Sequence, residues 1–183
     1  MKWLHSIFIL AVAFVAVFLE AAWNLPRYLL GAQIDVLPAL MVYTALTNGV
    51  GTIALLAVCG GLWFDSLSLN PLGASVLPLL VTGLVIYRSR ELLLRENTFA
   101  QAVLGLAASA FQPLGTLFIL LNLGISPLLN WGSLWQWVVM AAAGGIVAPL
   151  CFALFDRLHH AFDYPSATQL SFRADREIKR GRS

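Results

Sequence analysis

Asp156, His159, His160 and Asp163 carry helical i, i+3, i+4 spacing of the kind from which metal sites are built. Two adjacent histidines point to different sides of a helix, so the group reads as a wet amphipathic turn, and neither a metal nor another cofactor is expected. His5 is the remaining histidine, and HExxH, GxSxG, CxxC and phosphate-cradling glycine loops do not occur. Catalysis inside so apolar a chain would need charged or nucleophilic groups deep in its core, and almost none are there. The chain therefore reads as non-enzymatic. Cys59 and Cys151 both lie within apolar runs, where a thiol behaves as a small hydrophobe.

The polar groups that remain are few and specific. "GGLWFDSLSLNPLG", residues 60–73, carries an apolar run into Asp65 and then turns through Asn70-Pro71 into the next apolar run. Asp65 has no basic residue within twenty positions on either side, and Glu20 stands close to the end of the first apolar run. An acid inside a membrane span is costly and points to function, whereas one at a span's end can reach the headgroups. Two roles are open to Asp65: a partner-facing group, or the terminator of its own helix, accepting backbone hydrogen bonds from the 66–68 turn. Gln112, followed by Pro113 in the middle of a long apolar run, is expected to be buried in a kinked helix and to hydrogen-bond across to a neighbour.

The elements that must hold these groups follow from composition. Hydrophobic residues make up 60% of the 183, charged residues 11%, and mean hydropathy is +0.82. An ordinary soluble domain carries roughly 25% charge, so this composition describes an all-α polytopic membrane protein: one membrane domain over 1–163 and a basic tail over 164–183. A span needs about 20 apolar residues, which places helices at 3–23, 72–88, 98–122 and 134–155. Residues 36–64 are too long for one upright helix and short for two. "TNGVG" at 47–51 is a turn signal in the middle of that stretch and favours two, giving six transmembrane helices, with five as the alternative. Asn70 with Pro71, Thr98 with Gln101, and Ser133 with Gln136 read as helix caps.

All six tryptophans fall near proposed helix ends, as interfacial belts require. Arg88, Arg90 and Arg95 follow one span, and Arg157 with the tail follows the last. The positive-inside rule puts both groups in the cytoplasm; six helices then put both termini inside and leave only Arg27 outside, whereas five put the N-terminus outside and leave only Lys2 there, a tie on charge. Residues 1–23 read as an uncleaved first helix, because Glu20 and Trp23 stand where a signal peptidase needs small neutral residues. Arg173, Arg176, Lys179, Arg180 and Arg182 against Asp175 and Glu177 make the tail +3, suited to anionic lipid; no nucleic acid partner is expected. "GLAASA" at 105–110 and "AAAGG" at 141–145 offer small-residue faces for close helix approach, most simply inside the bundle.

One further pattern emerges from these residues. "VLPALMVYTAL" at 36–46, the pair Gly60-Gly61, "LWFDSLSLNPLG", and a following apolar helix ending in "YRSRELL" resemble the rod shape-determining protein MreD family. The features carrying the resemblance are Pro38 near a helix opening, Asp65 at the end of a small-residue helix, and Gly73 eight positions later, after Pro71. "APLCFALFDRLHHAF", with Pro149, is similar to that family's C-terminal helix. The resemblance implies a non-enzymatic component of the bacterial cytoplasmic (inner) membrane, supporting rod shape and peptidoglycan synthesis. Its implied partners are MreC and, through it, MreB, the RodA glycosyltransferase and a penicillin-binding transpeptidase. It also implies the six-helix arrangement of vitamin-transporter substrate-capture subunits. Glu20, Pro38, Asp65, Pro71, Gly73 and Gln112 are then the candidate partner-binding or structural residues. The alternative is a small-molecule, vitamin-type capture subunit or transporter, using Glu20, Tyr43, Asp65 and Asn122 as polar contacts.

Overall fold

A computed structural model describes residues 2–22, 28, 31–68, 70–90, 97–125 and 130–162. Trp23, Arg27, Arg95, Asp163 and the tail lie outside the described residues, as do the side chains of His5, His159 and His160. Six helices are described: α1 (Lys2–Ala22), α2 (Leu37–Thr47), α3 (Val50–Leu67), α4 (Val76–Ser89), α5 (Thr98–Asn122) and α6 (Trp131–Phe162). Three of them, Val50–Leu67, Thr98–Asn122 and Trp131–Leu158, are long and apolar enough to cross a bilayer. No more than 33% of any of these windows is buried in the bundle. Their outer faces carry residues such as Leu55, Val58, Phe118, Ile146 and Leu150, a surface that suits lipid rather than water.

The apolar stretch 36–64 folds as two helices, α2 and α3, broken where the Asn-Gly signal lies. Asn48 and Gly49 are both extended, and the Asn48 amide closes α2 on the carbonyl of Thr44. Three expected caps differ. α4 begins at Val76, because residues 71–75 form a turn with Gly73 at φ +92°, so Asn70 caps nothing and Pro71 is not the first helical residue. α5 is capped by Asn97, whose side chain accepts from Phe99 N at 2.9 Å, which moves Thr98 into the helix. α6 starts at Trp131 and runs to Phe162, with Asn130 Oδ1 accepting from Trp131 N and Ser133 taking the Asn130 amide from inside the helix.

Side-chain pairings fix the directions. Ser6–Thr52 and Phe14–Trp63 set α1 and α3 parallel. Gly61 against Val76 and Gly83 against Ile53 set α3 and α4 antiparallel, and Gly105 against Gly144 does the same for α5 and α6. The helices thus alternate in direction along the chain. α1, α3, α4, α5 and α6 form an incomplete ring around α2, which touches all five. Every residue of α2 from Leu37 to Leu46 is buried. A helix apolar on all sides belongs in a core, and this one supplies it. Tyr43 stacks on Phe155 at 4.2 Å and meets Phe152 edge-on at 5.0 Å.

The small-residue faces are consumed internally. A Cβ added at Gly105 would overlap the Gly144 carbonyl and Ala148, and one at Gly144 would overlap Ser109. Gly145 meets Ala102 O and Leu106 Cβ only at ordinary distance, 3.4 Å. Trp137 Nε1 donates to Ala110 O at 2.7 Å, adding a polar tie between α5 and α6.

Candidate functional site

Asp65 sits in the last turn of α3 with its side chain 1% exposed. Its Oδ2 accepts from Gly73 N at 2.8 Å and Ser75 N at 3.0 Å. The 66–68 turn expected to bond it does not: Ser68 instead caps the helix backbone, its amide bonding Phe64 O and Asp65 O. The left-handed φ of Gly73, a conformation glycine adopts without Cβ strain, turns two amides back toward the preceding helix. The carboxylate thereby anchors the N-terminus of α4, where negative charge is favoured. Pro71 is half-buried in this turn, and its carbonyl accepts from Ala74 N.

A second acidic corner adjoins the first. Glu20, late in α1, accepts Val36 N on Oε1 at 2.7 Å, and Asp35 accepts Leu37 N on Oδ1 at 2.9 Å. Together they hold the first turn of α2, with Pro38 buried in it. Asp35 is 2% exposed and lies near enough to Glu20 and Asp65 for their charges to interact. Among the described residues, Glu20 Oε2, Asp35 Oδ2 and Asp65 Oδ1 have no hydrogen-bond partner.

Gln112 makes the cross-helix bond expected of it, Nε2 donating to Ser75 O at 3.3 Å. Because that carbonyl is an acceptor, the amide nitrogen must face it, and the amide oxygen is left unpaired on the other side. One polar line therefore runs from α1 through the head of α2 and the 71–75 turn to α5.

Beside this line lies a cleft of about 1240 Å³. α1 and α6 meet at the opposite end of the bundle, where Phe8 and Phe155 pack edge to face at 5.8 Å. Toward Glu20 they separate, and the space between α1, α5 and α6 is the cleft. Glu20, Asp35 and Gln112 line it on one side; Leu117, Leu120, Leu134, Trp137 and Met140 make most of the rest apolar. No protein-family model, curated protein or solved structure matches the chain.

Of the six residues singled out from sequence, Glu20 and Gln112 reach the cleft, Asp65, Pro71 and Gly73 form the adjoining turn, and Pro38 opens α2. Tyr43 is in the core and Asn122 is exposed, bonded to Phe118 O of its own helix, so neither contributes to the cleft. Asp35 was not foreseen. Its signal was present: an acid directly before an apolar helix with proline three positions on, the arrangement of a capped start. Among the described residues, no three His, Cys, Asp or Glu side chains are placed to hold a metal.

Proposed function

We propose that this chain is a non-enzymatic scaffold of the bacterial cell-elongation machinery, a six-pass protein of the MreD type in the cytoplasmic membrane with both termini inside. The observation that carries the reading is the convergence of the motif residues. Pro38, Asp65, Pro71 and Gly73, spread over 36 positions, build two adjoining corners at one end of the bundle, and the Asp65–Gly73 spacing corresponds to a specific carboxylate–amide bond. A motif spent on bracing one end of the bundle suits a protein that holds others. Alternating helix direction supports six crossings. α2 spans only about 16 Å at 1.5 Å per residue, and irregular backbone can complete a crossing where protein covers it or it lines a cavity; residues 33–36 line the cleft. MreC is the direct partner in this reading, with MreB, RodA and the transpeptidase reached through it. Depletion should round rod-shaped cells and disperse MreC, and purified protein should bind MreC without turning over a substrate. Normal rods with correctly placed MreC in a clean deletion strain would refute it.

The cleft favours a second reading, a small-molecule capture subunit with the fold of vitamin-transporter components. A true ligand at 100 times its dissociation constant stabilises by about 2.7 kcal/mol, so a thermal-shift screen with vitamins separates the two.

A further inference from the structure

We propose that the cleft beside Glu20, Asp35 and Gln112 binds an ammonium group carried on an apolar body. Three acceptors behind its polar wall, Glu20 Oε2, Asp35 Oδ2 and Gln112 Oε1, are themselves shielded from the cleft and lack donors among the described residues. They come from α1, the connection before α2, and α5, so no single local turn explains them. Asp35 and Gln112 are 2% and 3% exposed, and buried polar atoms are ordinarily paired. Gln112 is the independent witness: it carries no charge, its nitrogen is committed to Ser75, and its oxygen still waits for a donor.

A group that donates hydrogen bonds and carries positive charge answers all three acceptors at once. A primary ammonium does both, with three N–H groups. Among the described residues no three His, Cys, Asp or Glu side chains are placed to hold a metal ion, and a hard divalent cation keeps waters that the largely apolar lining does not suit. The described basic side chains offer no internal answer: Arg88, Arg90 and Arg157 stand at the other end of the bundle, near the end of α4 and late in α6. The opposite wall of leucine, methionine and tryptophan suits a hydrocarbon body, and about 1240 Å³ exceeds the 300–1,000 Å³ typical of drug-sized sites. Glu20, only partly buried, is the side chain that must swing to admit the headgroup. The same chemistry can come from a free alkylamine or from the amine headgroup of a phospholipid.

The test uses full-length protein in detergent with dodecylamine as probe, read by the fluorescence of Trp131 and Trp137, which line the cleft. Dodecylamine should bind saturably and at least tenfold tighter than dodecanol, which has no charge, or dodecyltrimethylammonium, which has no N–H. The E20Q/D35N double variant keeps acceptors for Val36 N and Leu37 N, so it should fold, and should weaken the amine at least tenfold. If it does not fold, E20Q alone should weaken binding threefold or more. In phosphatidylglycerol nanodiscs, competition by added phosphatidylethanolamine identifies the lipid headgroup as the source, and its absence identifies a free amine. Equal binding by wild type and variant, equal binding of dodecanol, or amine binding that appears only in R27Q would overturn the proposal, the last by naming this chain's own guanidinium as occupant. The proposal rests on the membrane reading and not on MreC. MreC binding, measured on the same samples, separates failure of one from failure of the other.

Discussion

Replacing Asp65 tests the corner that joins α3 to α4. Asp65→Ala removes a buried carboxylate that takes two amides on a single oxygen. A hydrogen bond to a charged group contributes about 1.5–3 kcal/mol net, so two put the loss at roughly 3–6 kcal/mol, the cost of stranding Gly73 N and Ser75 N being part of the same figure. Asp65→Asn behaves differently. Because both amides go to Oδ2, one amide oxygen can take both. The new NH2 falls where Oδ1 has no donor to lose. Only the charge is gone, and charge about doubles such bonds, so the expected cost is roughly 1.5–3 kcal/mol. Neither change adds polarity, so membrane insertion should be unaffected. Thermal unfolding of the purified variants ranks wild type above Asn above Ala, and hydrogen exchange should speed at Gly73 and Ser75 in the alanine variant. An alanine variant as stable as wild type, or an asparagine variant as damaged as alanine, refutes the anchoring role.

The α5–α6 contact separates neighbouring glycines. Gly144→Ala collides with Ser109 and should cost about 1–3 kcal/mol as overpacking, whereas Gly145→Ala meets only ordinary contacts and should unfold within a degree or two of wild type. Tyr43→Ala opens the core beneath Phe152 and Phe155 and should cost about 3–5 kcal/mol, seen as loss of monodisperse protein by size exclusion. A topology reporter after Asn48 should read cytoplasmic and one after Ser68 external; a reporter at Asn48 that reads as embedded, with an external N-terminus, contradicts the six-crossing reading.

What the residues disclosed in advance was whatever depends on neighbours in the chain. The break after Thr47 was legible because Asn-Gly interrupts apolar periodicity locally. The partners of Asp65 were not, because the nearest turn offers amides three residues away while the real donors lie eight and ten residues on, brought back by one left-handed glycine. Burial of α2 was equally hidden: eleven residues apolar on every side look the same whether lipid or protein covers them. Small residues marked the α5–α6 contact, yet the run at 141–145 does not tell Gly144 from Gly145, and one position rotates a side chain by about 100° on a helix. The cleft needed α1, α5 and α6 placed together, which no local pattern encodes.

The enclosure of α2 imposes an order in time. It leaves the ribosome before two of the helices that cover it, α5 and α6, which begin only at Thr98 and Trp131. At ~5–20 residues per second, Tyr43 waits roughly 5–20 s for Phe155. During that interval one flank of α2 has no protein partner, and its length falls well short of a bilayer's core. Every chain of this protein therefore passes through a half-built stage in which membrane chaperones and proteases can inspect it. Lesions in α6 should then act first on survival of the newborn chain, before any effect on the finished bundle.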